Sequence, residues 1–94
     1  MPQLTKEILI YDLLQLGRKE EANYLSEGNN RKASHILLAR NHLVCALLGS
    51  IKSMRETLDL LITNPKTAKP NVADEDVRKL LINFKEMLSE LYGI

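Results

Sequence analysis

NRKASHILLARNHLVCALLGSIKSMRETLDLLIT, residues 30–63, carries the pattern that decides the fold. Leu37, Arg40, Val44, Leu47, Ile51, Met54, Leu58 and Leu61 recur at spacings of 3, 4, 3, 4, 3, 4 and 3, the seam of an amphipathic helix, with Arg40 alone out of character. Asn64-Pro65 closes the pattern, because the residue before a proline is pushed away from helical geometry. One uninterrupted helix over 30–63 would be on the order of 50 Å long at 1.5 Å per residue. Gly49 lies inside it and permits two consecutive helices instead.

Downstream, Ala73, Val77, Leu80, Phe84, Met87, Leu91 and Ile94 form a second seam, spaced 4, 3, 4, 3, 4 and 3. Asn71 suits the N-cap of this helix. Asp74, Glu75 and Asp76 fall in its first turns, where the helix dipole favours negative charge; that explains the acidic trio more simply than a metal or carboxylate site. Gly93 stands where helices commonly stop. Between the two helices, residues 64–71 contain two prolines and two lysines and read as an exposed connector.

Upstream, Leu9, Leu13 and Leu16 give one stripe and Ile10, Leu14 and Gly17 its neighbour. The helix over about 4–27 either continues past Gly17 with a narrower stripe or breaks there and restarts. LGRKEEA, residues 16–22, resembles the turn between paired helices of tetratricopeptide-type repeats. No second copy occurs at the 34-residue period such repeats need, and the repeat reading ends there. SEGNN, residues 26–30, is a turn by composition.

Leucine occurs 18 times against 10 for isoleucine and valine together, which favours helix over strand, and no segment alternates apolar and polar residues like a half-buried strand. The expected architecture is all-α: a three-helix or four-helix antiparallel bundle with a long central helix. Residues 1–94 form one domain, with helices over about 4–27, 30–63 and 72–92. Ninety-four residues leave no room for two ordinary cores. Apolar residues at 45% and charged residues at 27% match a folded chain and not a disordered one.

The same arithmetic limits function. Thirteen Lys and Arg against 12 Asp and Glu give a net charge of +1, far from the basic excess of a general DNA-coating protein. One cysteine cannot form an internal disulfide. The N-terminal segment lacks the apolar run of a signal peptide. Residues 36–51 are too short, and too polar at Arg40, Asn41 and His42, for a membrane span. A cytoplasmic, soluble protein is expected.

His42 and Cys45 are three residues apart and could share an ion, with His35 seven residues before His42. A structural zinc site wants four such ligands, and no acid lies between Gly28 and Arg55 to complete the set. Cys45 as a nucleophile with His42 as base lacks an orienting third group and an oxyanion loop; a small buried hydrophobe is the simpler reading. No phosphate-binding glycine loop or dinucleotide fingerprint occurs. The expectation is therefore no enzyme, with no catalytic residues, no metal site and no cofactor.

The expected activity is binding. The first half of the central helix is apolar nearly all round, and a helix apolar on every side must be enclosed on every side. Residues 36–51 therefore read as the place where a partner helix or a second copy packs, through Leu37, Leu38, Arg40, Leu43, Val44, Leu47, Leu48 and Ile51. Homodimer and heterodimer remain open, and so does full enclosure by the chain's own helices. Arg40 in the seam calls for a carboxylate, from Asp12, Glu20 or a partner chain, unless its guanidinium snorkels to water. A small helical adaptor, chaperone, inhibitor or immunity-type regulator fits this description by analogy of fold class. The alternative is a nucleic-acid-associated regulator using a basic face over 31–55, with Arg31, Lys32, Lys52 and Arg55. Few aromatics and spread basics argue against it.

Overall fold

The 3.6-residue rhythm of the sequence resolves into five helical segments in the computed structural model, which describes residues 4–64 and 75–94. They are α1 (Lys6–Gln15), α2 (Arg18–Ser26), α3 (Asn30–Gly49), α4 (Ile51–Thr63) and α5 (Glu75–Tyr92). No strand occurs among the described residues. The expected cap at Asn71, the seam residue Ala73, Asp74 and all but Asn64 of the connector lie outside them.

Cross-chain contacts fix the topology. Lys6 reaches the Gly49 carbonyl and Arg40 reaches the Leu14 and Leu16 carbonyls, so α1 runs antiparallel to α3. Glu21 then meets Arg40, and Tyr24 lies beside Lys32, so α2 continues along α3 in the same sense as α1. Together α1 and α2 make one broken arm. Asp59 of α4 pairs with Lys85 and the Ile62 carbonyl accepts from Arg78, which sets α4 and α5 antiparallel. The result is an all-α, up-and-down bundle of four arms: α1–α2, α3, α4 and α5. α3 touches each of the other helices and is the central one.

Helix breaks account for the two departures from a three-helix reading. At Gly17 the backbone turns left-handed (φ 68°), a conformation glycine takes without a Cβ penalty. Of the two readings of the first arm, the structure therefore takes the break. At Ser50 the backbone is extended, and the Ser50 hydroxyl accepts from the Ser53 N–H at 2.9 Å, capping α4. The single helix over 30–63 is thus corrected to α3 and α4. A helix of about 50 Å would overrun a body whose longest dimension is 39 Å.

The break also corrects the seams. With α3 and α4 separate, their phases are independent, and α3 turns inward through Ala33, Ile36, Ala39, Arg40, Leu43 and Leu47. Leu37 moves outward and Val44 to the edge. α4 keeps the expected Met54, Leu58 and Leu61 inside. α5 buries Val77, Leu81, Phe84 and Leu88, with Leu80 and Met87 half-buried and Leu91 exposed. Its apolar face is wider than a strict heptad stripe because it meets more than one neighbour. Leu9 and Leu13 of α1 complete the core.

α2 contributes no fully buried side chain. Polar ties at its two ends hold it. Near Gly17, Arg40 reaches Glu21; near Ser26, the Tyr24 hydroxyl donates to Asp76 at 3.1 Å while Lys32 sits 2.6 Å from the same carboxylate and 5.3 Å from the Tyr24 ring. The Lys32 hydrogen bond, then the Tyr24 hydroxyl, hold the Asp76 carboxyl below its ordinary range. A carboxylate lowered on folding contributes stability above its unfolded value, near 3.8, and loses it as pH falls through the folded value. Asp76→Asn is therefore expected to lower the urea midpoint at neutral pH and to flatten the acid limb below about pH 4. An acid limb identical to that of the parent chain would remove Asp76 from the fastening of α2.

Candidate functional site

Surface helices of a bundle ordinarily turn charged residues to solvent. α1 does so with Lys6 and Glu7, α2 with Arg18 and Lys19, α4 with Lys52 and Glu56, and α5 with Glu75, Lys79, Glu86 and Glu90. The outer face of α3 differs. From Ser34 to Gly49 its exposed residues are Ser34, Leu37, Leu38, Asn41, His42, Cys45, Leu48 and Gly49, with no Lys, Arg, Asp or Glu among them. The one charged residue in that span, Arg40, points inward and is 7% exposed. Leu37, Leu38 and Leu48 are 44%, 41% and 69% exposed. Apolar side chains and small uncharged ones thus form a strip about four turns long.

The eight residues read from the sequence as an interface divide accordingly. Leu37, Leu38 and Leu48 lie on the strip, while Val44 and Ile51 are half-buried. Leu43 and Leu47 are fully buried in the chain's own core, and Arg40 is committed to the α1–α2 break, so these three are corrected from interface to interior. The reason is the rotated phase of α3: the broken arm and α4 enclose one side of the helix and leave the other open. The apolar pattern does not point to Ser34 or Asn41, and Cys45, expected as a small buried hydrophobe, is free and exposed. Only the α3 phase, anchored on Ile36 and Leu43, would have revealed them.

Arg40 finds its carboxylate in Glu21 and not in Asp12 or Glu20. Its Nη1 also donates to the carbonyls of Leu16 at 3.0 Å and Leu14 at 3.3 Å. These carbonyls are left without helical partners by the break at Gly17, and a cation there also meets the negative end of the α1 dipole. Snorkelling is excluded by this burial. Asp12 instead accepts from the Tyr92 hydroxyl at 3.4 Å, and burial together with the Asp12 charge pushes the Tyr92 phenol above its ordinary value.

The basic residues of 31–55 are partly neutralised. Lys32 pairs with Asp76, and Arg55 Nε lies 3.4 Å from Asp59. Lys85, on the far side of Asp59 at 2.8 Å, is the main cause holding that carboxyl below its ordinary range, with Arg55 adding to it. Arg31 and Lys52 remain exposed. His35 is half-buried with Nδ1 sequestered, and His42 is exposed. Among the described residues no three His, Cys, Asp or Glu side chains gather as a metal set, and no helix is long and apolar enough to cross a membrane.

Two open grooves lie elsewhere. One, of about 490 Å³, runs between α4 and α5, where Lys85 is held by Asp59 and the Ser89 hydroxyl donates to the Ile94 carbonyl. The other, of about 310 Å³, separates the broken arm from α5. No protein-family model, curated protein or solved structure matches the chain.

Proposed function

We propose that the chain is a non-enzymatic protein-interaction module of the cytoplasm, a small helical adaptor, chaperone, inhibitor or immunity-type regulator, that docks a protein through the outer face of α3. The observation that carries this reading is the uncharged strip from Ser34 to Gly49 on a protein whose other helices all turn charge to solvent. Leucines at three points along it each forgo part of the roughly 1.5–3 kcal/mol that full burial of such a side chain is worth. Exposed apolar surface gathered in this way marks contact sites.

Light scattering after size exclusion, with binding of a hydrophobic dye measured on the same samples, tests the reading. Either a self-associated species or a dye-binding monomer is expected. Leu38→Glu and Leu48→Glu, both at exposed positions, are expected to keep the helical content and to weaken association or dye binding roughly tenfold or more, about 1.4 kcal/mol. Raising salt should leave association nearly unchanged, whereas contact with phosphates would weaken steeply between about 50 and 200 mM. A monomer that binds no dye would overturn the proposal.

A further inference from the structure

We propose that the protein seated on this strip is a second copy of the chain, its α3 lying antiparallel to the first with a two-fold axis through Asn41. This rests on the reading of the strip as an interaction surface. Ser34, Leu37, Asn41, Cys45 and Leu48 follow one another at spacings of 3, 4, 4 and 3, which read the same from either end. Leu38, on the strip, and Val44, at its edge, stand three residues to either side of the centre.

A two-fold axis sets each residue against the one equally far on the other side of it. Leu48 then faces Ser34 of the second copy, and Leu37 faces Cys45. Large side chains meet small ones, which lets helices approach to about 8–10 Å. Val44 of the second copy lies level with Leu38 but on the opposite flank, beside Leu37, an apolar neighbour. Asn41 meets itself on the axis, and its amide carries both donor and acceptor, so the two amides can satisfy each other. A polar residue at one point of an apolar seam fixes register in helix pairs.

The absence of charge points the same way. A charge at position 34, 37, 45 or 48 would face an uncharged residue of the second copy, and one at 41 its own copy; the exposed residues from Ser34 to Gly49 include no Lys, Arg, Asp or Glu. A charged partner would find no counter-charge there. One helix pair is small beside the roughly 1,200–2,000 Å² of stable complexes, so dimerisation is expected to depend on protein concentration.

Cysteine placement reads the register. The native Cys45 residues would lie about 12 Å apart along the helix axes, beyond disulfide reach, whereas residues at position 41 would face each other across the axis. Oxidation of the Asn41→Cys/Cys45→Ser protein is expected to give a covalent dimer on a non-reducing gel. The native chain, oxidised at the same concentration, should give none above the Cys45→Ser background. Circular dichroism checks that both variants keep their helices. A native chain that stays monomeric at high concentration but binds dye would overturn self-pairing and leave the interaction surface standing. A dimer that cross-links through Cys45 and not through position 41 would overturn the register. A monomer that binds no dye would overturn both.

Discussion

Arg40→Met is expected to cost about 3–5 kcal/mol, because it removes one partner of a buried ion pair and leaves the other in place. In an ordinary domain that is a large share of the roughly 5–15 kcal/mol of folding stability. The guanidinium does three things at once: it neutralises Glu21, and it donates to the two carbonyls that the Gly17 break leaves open. Methionine fills the volume of the stem and supplies none of the donors. Replacing Glu21 as well, in Arg40→Met/Glu21→Met, removes the stranded carboxylate and is expected to recover part of the loss, while the Leu14 and Leu16 carbonyls stay unpaired. Urea midpoints of the parent chain, both single variants and the double variant form the test. A single Arg40→Met protein as stable as the parent would show that the ion pair only breaks even with its desolvation.

The second large effect is expected at Gly17. A Cβ there would stand 2.7 Å from Ile36 Cγ2 and 3.3 Å from Leu80 Cδ1. Ile36 is 2% exposed, and its Cγ2 hangs from the branched Cβ, so it cannot swing away. An L-residue also pays about 1–2 kcal/mol for the left-handed conformation, and overpacking a filled core adds about 1–3. Gly17→Ala should therefore lose roughly 2–5 kcal/mol in urea unfolding. Gly28→Ala shares the left-handed strain but has nothing within 4 Å of its Cβ, so it isolates the conformational part. Equal losses at the two positions would show that Ile36 and Leu80 yield to the new methyl group.

These two residues also mark the boundary of what the sequence made legible. The apolar period marks the chain as helical along α1 and from α3 through α5, and it places Met54, Leu58 and Leu61 inside because nothing interrupts their phase. It fails at Ser50. Apolar residues continue on both sides of the serine, and its capping hydroxyl is invisible to a pattern of hydrophobicity alone. Carrying one phase across that point puts Leu37 and Val44 in the seam, whereas α3 buries Ile36 and Leu43 beside the shared Arg40 and Leu47. The partner of Arg40 slipped by one residue for a similar reason, since the restart at Gly17 resets the phase of α2 and presents Glu21 in place of Glu20. The uncharged strip of α3 is half legible. Its leucines stood out, whereas Ser34, Asn41 and Cys45 are small and uncharged, and their meaning comes only from the side of α3 they share.

The nine residues of α2 have a further consequence, for how the sequence can change. Glu21 and Tyr24 are the side chains through which the segment grips the bundle. Arg18, Lys19, Ala22, Asn23 and Ser26 are exposed, and substitutions at such positions usually move stability by no more than about 0.5 kcal/mol. With a net charge of only +1, a few replacements in this short segment suffice to reverse the sign of the whole molecule. α2 is thus where lineages could retune solubility and electrostatic character while core and strip stay fixed.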